Sequence, residues 1–120
     1  MAACEDVLRV TQQDLTQPHA VIRVGREYAG YAGLSLDDTK PELSKLFVCP
    51  KHMGKGIGSA LITWAKTEAR QHGHSWLQVE SDPDAAPFYA SHGAIQIGNV
   101  PSEVIRNRVL PLLKLPTAKA

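Results

Sequence analysis

The sequence predicts an α/β chain whose core is a mixed sheet, an α+β arrangement with helices laid on it, not a doubly wound parallel sheet. Three observations carry this. Two apolar, β-rich runs flank Gly25 in the manner of a β-hairpin. Farther on, an amphipathic stretch lies between two short apolar runs, a strand–helix–strand unit that implies a right-handed parallel crossover. A short helix and two more apolar runs then close the chain. A length of 120 residues suits one core and is too short for two, so 1–120 is expected to be a single domain.

In order along the chain, Cys4 to Leu15 is weakly helical in pattern, and Pro18 ends it. Ala20–Val24 and Tyr28–Leu36 are the hairpin strands, joined through Gly25-Arg26-Glu27. On the second strand Tyr28, Gly30, Ala32, Leu34 and Leu36 share a face, and Tyr31 takes the other. Asp37-Asp38-Thr39-Lys40-Pro41 is a polar loop. Glu42–Cys49 is the next strand, and its run Leu46-Phe47-Val48 suggests cover on both faces. Pro50 stops it. The run Met53-Gly54-Lys55-Gly56-Ile57-Gly58 leads into a helix from about Gly56 to about His72. Ile57, Ala60, Leu61, Trp64, Ala65 and Ala69 fall on one side of that helix, and Gly73 ends it. Trp76–Glu80 is a strand. Asp82 can cap a short helix with Pro83 in its first position, running to about His92. Ala94–Ile97 and Val109–Leu115 are the last strands. Trp64 and Trp76 are expected in the core.

Composition narrows the function classes. A net charge of +1 without a basic tract argues against a nucleic-acid surface. No apolar run reaches membrane-spanning length, and residues 1–20 lack a signal-peptide pattern, so no membrane partner and a cytoplasmic setting are expected. The two cysteines, Cys4 and Cys49, form no C-x-x-C pair and are expected as reduced thiols. Five histidines are present, but no Cys or carboxylate cluster completes a metal site, and no metal is expected.

The glycine run carries the chemistry. Small residues before a helix start leave backbone N–H donors and the positive end of the helix dipole open to an anion, most often a phosphate. A nucleotide P-loop would need Lys-Ser/Thr after its last glycine, whereas Lys55 is followed by Gly56. A dinucleotide fingerprint would need a third glycine where Leu61 stands. A coenzyme A pyrophosphate loop fits better. From Glu42 onward the chain resembles the GNAT superfamily of acetyl-CoA-dependent N-acyltransferases. The run Leu46-Phe47-Val48-Cys49-Pro50-Lys51-His52-Met53-Gly54-Lys55-Gly56-Ile57-Gly58-Ser59-Ala60-Leu61 is similar to the family's strand, pyrophosphate loop and helix. Asp82-Pro83-Asp84-Ala85-Ala86-Pro87-Phe88-Tyr89-Ala90-Ser91-His92-Gly93-Ala94 is similar to its second motif. Both stand in order at the expected separation, which makes the pair a strong signal.

The resemblance implies a central mixed sheet flanked by helices, with a splayed parallel strand pair that forms the acyl-CoA cleft. It implies acetyl-CoA as cosubstrate, held by Leu46, Phe47, Val48, Met53, Gly54, Lys55, Gly56, Ile57, Gly58, Ser59, Asp84, Phe88 and Tyr89. It makes Tyr89 the general acid that protonates the leaving sulfur, with Phe88, roughly 100° away on the helix, turned to the core. The oxyanion donor would be the backbone N–H of Phe47 or Val48. Glu42, at the start of its strand, is the candidate base, and Glu80 the second. Met53 departs from the pattern: the family carries Arg or Gln there, so the backbone amides with Lys51 or Lys55 are left to hold the charge, and weaker cofactor binding is expected. The expected activity is transfer of acetyl to a primary amine of a small molecule or peptide. The alternative is an acyl-CoA-binding module with little or no catalysis. Subunit pairing is common in the family, and the C-terminal strands offer a surface for a homodimer.

Overall fold

Alternating and β-branched residues in the first half of the chain form three antiparallel strands, and the crossover through the central helix adds the rest of the sheet. The computed structural model describes residues 17–36, 40–101 and 106–118, so the expected helix over 4–15 lies outside the described residues. The strands are β1 (His19–Val24), β2 (Glu27–Ser35), β3 (Glu42–Val48), β4 (Trp76–Glu80), β5 (Ile95–Pro101) and β6 (Val109–Pro116), and the helices are α1 (Ile57–Gln71) and α2 (Ala86–Ser91). All six strands make one sheet in the order β1-β2-β3-β4-β6-β5. Among the described residues, only β3 and β4 run parallel.

The core lies between the sheet and α1. Leu61, Ile62, Ala65 and Ala69 of α1 are fully buried against Ala32, Leu34, Leu43, Leu77 and Leu115. Gly30 lets the helix sit this close: a Cβ there would stand 2.8 Å from Ile57 Cγ2 and 3.0 Å from Leu61 Cδ1. Tyr31 points to the opposite face, as its place in the alternation requires, with its hydroxyl beside Gly33.

Two bulges tune the middle of the sheet. The β2–β3 register shifts between Gly33 and Leu34, so that Gly33 faces Lys45 and Leu34 faces Leu43. Ser44 is the extra residue, and its Oγ donates to Gly33 O at 3.1 Å. This re-phasing turns Leu43 to the core, where strict alternation from Leu46 would have turned Glu42. A second shift, between Ile22 and Arg23, leaves Ala29 opposite no β1 residue. The Ala29 carbonyl still accepts from Cys49 N–H at 2.7 Å, which ties the end of β3 to β2.

Several expectations change. Leu46, Phe47 and Val48 are half-buried, not covered on both faces, because β3 and β4 separate beyond the one pair Glu42–Gln78. The short helix begins at Ala86 with Pro87 in its first turn, and Asp82 caps the preceding turn by accepting from Asp84 N–H at 3.0 Å. A 3-10 turn, Pro50–His52, separates β3 from the glycine run. Trp64 packs against the core, whereas Trp76 lies outside it with Lys114 Nζ 5.1 Å from its ring centroid. The expected free thiol is overturned: Cys49 is buried and disulfide-bonded. Disulfide pairing follows where the chain returns in space, which cysteine spacing does not encode. Among the described residues, no helix is long and apolar enough to cross a membrane.

Candidate active site

Past Glu42–Gln78 the parallel pair opens, and two cavities fill the gap. The first, of about 640 Å³, is lined by Leu46, Val48, His52, Met53, Gly54, Gly56, Ile57, Gly58 and Ser59, and on its far side by Asp82, Asp84, Ala85, Phe88 and Tyr89. The second, of about 440 Å³, lies between β3 and β4, lined by Tyr31, Leu43–Phe47, Val79, Glu80, Asp82, Ala85 and Tyr89. The two motifs, some thirty residues apart in sequence, thus meet across one space. Tyr89, Asp82, Ala85 and Leu46 border both cavities.

The three glycines of the run have different physical reasons. Gly54 and Gly56 have φ of +81° and +78°, left-handed conformations that disfavour any side chain, and the space around both is open. Gly56 is the N-cap of α1, with no side-chain cap bond in its place, which leaves the first-turn amides open on the cavity side. Gly58 is different. A Cβ there would lie 3.0 Å from Phe88 Cζ and 3.6 Å from Val48 Cγ2. The glycine of one motif is the seat for the aromatic ring of the other.

Phe88 stacks edge-on to Tyr89, with ring centroids 5.4 Å apart, and to His92 at 4.9 Å. Both aromatics line the first cavity, so Phe88 is a wall of the site as well as part of the packing. Tyr89 is 7% exposed, and burial pushes its hydroxyl up to about 12. It is therefore protonated at neutral pH and able to donate. α2 is fastened to α1 by Lys66 Nζ donating to His92 O at 2.7 Å and by a 3.2 Å contact between Ser59 Oγ and His92 Nε2. Burial, with Lys66 nearby, holds the His92 ring below the usual imidazole value. Asp82 is held by Arg108, the residue before β6, whose Nη2 donates to Oδ1 at 3.3 Å.

Of the residues singled out in the sequence, all the named glycines, Leu46, Val48, Met53, Ile57, Ser59, Asp84, Phe88 and Tyr89 line the first cavity; Phe47 lines the second. Lys55 and Glu42 line neither, whereas Glu80 lines the second. Met53 is 63% exposed at the loop. His52, Asp82 and Ala85 border the site without having been marked. His52 had no signal of its own: an isolated histidine in a loop reads as a solvated one, and only the fold shows it 3% exposed. Among the described residues, no group of His, Cys, Asp and Glu could hold a metal ion.

The sequence matches the acetyltransferase (GNAT) domain over residues 4–107. The chain belongs to the GNAT acetyltransferase family. Its fold agrees. A GCN5-related N-acetyltransferase of Rhodopseudomonas palustris superposes with TM-score 0.77 at 20% identity, over 96% of this chain and 71% of that one. The ribosomal-protein-S18-alanine N-acetyltransferase of Escherichia coli gives 0.71 at 18% identity, over 97% of this chain and 77% of that one. An aminoglycoside 6'-N-acetyltransferase, solved with coenzyme A, gives 0.74 at 14% identity, over 97% and 80%. At such identities the likeness is one of fold. No curated protein matches the chain in sequence. In this GNAT domain the splayed β3–β4 pair and the glycine loop at the α1 N-terminus stand on the same cavity.

Proposed function

We propose that this GNAT domain transfers the acetyl group of acetyl-CoA to a primary amine of a small molecule or peptide. The observation that carries the reading is the position of Tyr89, a protonated, buried phenol at the junction of two cavities. The larger, with open helix amides at one end, suits the pyrophosphate and the acyl-bearing arm. The smaller, with Glu80 and Asp82 in its wall, suits an amine.

The residues divide the work as follows. The glycine-loop amides and the first turn of α1 bind the pyrophosphate. Cys49 N–H donates to β2, and successive strand amides point to opposite edges, so Val48 N–H points to the open edge of β3. That amide is the proposed donor to the carbonyl oxygen as negative charge gathers on it. The amine nitrogen forms its bond to the carbonyl carbon, the C–S bond breaks, and the amine's extra proton passes to Glu80, directly or through water. Glu80 takes the role first assigned to Glu42, because Glu80 borders the acceptor cavity and Glu42 borders neither. Tyr89 donates its hydroxyl proton to the departing sulfur. A phenol at about 12 is a weaker acid than a thiol near 8.5, so the transfer completes only as the phenol regains a proton originating from the amine. The sum is an amide and a free thiol.

Turnover is measured as thiol release from acetyl-CoA over a panel of amines, wild type against Tyr89→Phe. The expected result is turnover on at least one amine and a loss of about 10²-fold or more in kcat for the variant, with coenzyme A affinity kept. Undiminished turnover by Tyr89→Phe removes Tyr89 from the mechanism. Binding of coenzyme A without turnover on any amine favours a binding module instead, in keeping with the uncharged Met53 in the loop.

A further inference from the structure

Met53 leaves the pyrophosphate loop without the cationic or amide side chain its pattern calls for, and the charge at this site is organised differently. His52 lies in the 3-10 turn just before the loop and is 3% exposed. Its Nδ1 is 3.1 Å from Lys55 Nζ. An ammonium has donors only, so in this contact Nζ donates and Nδ1 accepts. Nε2 is buried and has no hydrogen-bond partner. Glu27 Oε1 stands 3.8 Å from it, too far for a hydrogen bond but close enough to favour the proton on that nitrogen. Glu27 is itself fixed, with Lys51 Nζ donating to its two oxygens at 3.0 and 2.9 Å. The order Lys51, Glu27, His52, Lys55 is a line of alternating partners that ends at the glycine loop.

Lys55 borders neither cavity by itself, but His52 borders the larger one. We infer that His52 is a positioning residue of the pyrophosphate site, which holds the Lys55 ammonium beside that cavity and so supplies the cationic contact that Met53 lacks. The inference rests on the acetyl-CoA reading above. A lysine carried between two glycines would otherwise populate many rotamers and lose them on binding an anion. His52 removes that loss in advance, because the imidazole is itself immobilised by burial. Nζ has three donors and spends one on Nδ1, leaving two for phosphate oxygens.

The test is calorimetric titration of the full chain with coenzyme A, comparing wild type, Lys55→Ala, His52→Leu, His52→Asn and the double variant His52→Leu/Lys55→Ala. Leucine fills the buried site without an acceptor, whereas the asparagine Oδ1 stands near the place of Nδ1. Lys55→Ala and His52→Leu are each expected to weaken binding about fivefold, the change that one lost hydrogen bond of ordinary strength produces. The double variant is expected to be no weaker than Lys55→Ala alone, since both remove one contact. His52→Asn should keep most of the wild-type affinity. Full affinity in Lys55→Ala or in a folded His52→Leu, or losses that add in the double variant, overturns the inference. If His52→Leu does not fold, Lys55→Ala and His52→Asn decide the matter. A wild-type chain that does not bind coenzyme A overturns the acetyl-CoA reading, and this inference with it.

Discussion

Substituting Gly58 by alanine separates the stability of α1 from the shape of the site it opens. Gly58 has ordinary helical geometry, so alanine gains helix propensity of about 1 kcal/mol there. Against this, the new Cβ would lie 3.0 Å from Phe88 Cζ and 3.3 Å from Cε1. Overpacking of this kind costs about 1–3 kcal/mol where the neighbour is fixed. Phe88 is half-buried, and the clash is with the far end of its ring, so the ring can yield by a few tenths of an ångström at the low end of that range. The two effects nearly cancel, and thermal melting should move by no more than about 5 °C. The displaced ring is, however, a wall of the larger cavity and the edge-on neighbour of Tyr89. Coenzyme A binding by calorimetry should therefore weaken by about tenfold, a cost of about 1.4 kcal/mol. Gly56→Ala is the control. Its Cβ meets nothing within 4 Å, but φ of +78° imposes a left-handed alanine. That strain costs about 1–2 kcal/mol of stability. Coenzyme A binding by Gly58→Ala as tight as that of wild type, or melting well below Gly56→Ala, would refute this role for Gly58.

Two further predictions concern charge. Glu80→Gln should lower kcat by about 10²-fold at neutral pH and leave coenzyme A affinity alone, because Glu80 borders only the smaller cavity, proposed above for the amine; a wild-type rate would exclude it as the base. The depressed pKa of His92 makes the α1–α2 junction sensitive to acid. Above the usual value of 6.5 the ring is neutral in both folded and unfolded chains. As pH falls below that value the unfolded chain takes up the proton first, so stability declines until the folded ring also titrates, and then levels. His92→Asn should flatten the melting temperature over this interval, and an unchanged slope would place the acid sensitivity elsewhere.

The sequence revealed what depends on local pattern. The hairpin, the crossover helix and the order of strands follow from periodicity and turn residues, and they stand where the pattern puts them. The glycine loop was legible as a phosphate site, though not the division of labour inside it. Nothing local distinguishes Gly54 and Gly56, which serve a backbone angle, from Gly58, which serves a ring thirty residues on. The Ser44 bulge was equally invisible, since one extra residue leaves no mark in an apolar run yet decides whether Leu43 or Glu42 meets the core. His52 and the disulfide at Cys49 depend on which segments return to the same place, and so do Asp82 and its Arg108 partner.

The cleft itself has the least sequence signature, and the reason is energetic. β4 is paired with β6 along its whole length, from Trp76–Pro116 to Glu80–Leu112, but with β3 at Glu42–Gln78 alone. Zipping β3 against β4 would pair the backbone groups of Leu46, Val48 and Glu80 that face the gap, and buried backbone groups left unpaired are costly. Something must keep the strands apart. On one side it is the α2 segment, whose Ala85 and Tyr89 line the gap, and that segment is pinned by Arg108 to Asp82 and by Lys66 to the His92 carbonyl. On the other it is the pairing of β3 with β2, extended by Cys49 N–H to Ala29 O. The open edge of β3 therefore keeps unspent hydrogen-bonding capacity in a largely apolar slot. Under the function proposed above, the pantetheine arm of coenzyme A, which carries its own amides, would recover that capacity as an added strand does. Backbone groups do this work, so the residue types at 46–48 need only be apolar, and the site is read from where the sheet stops pairing.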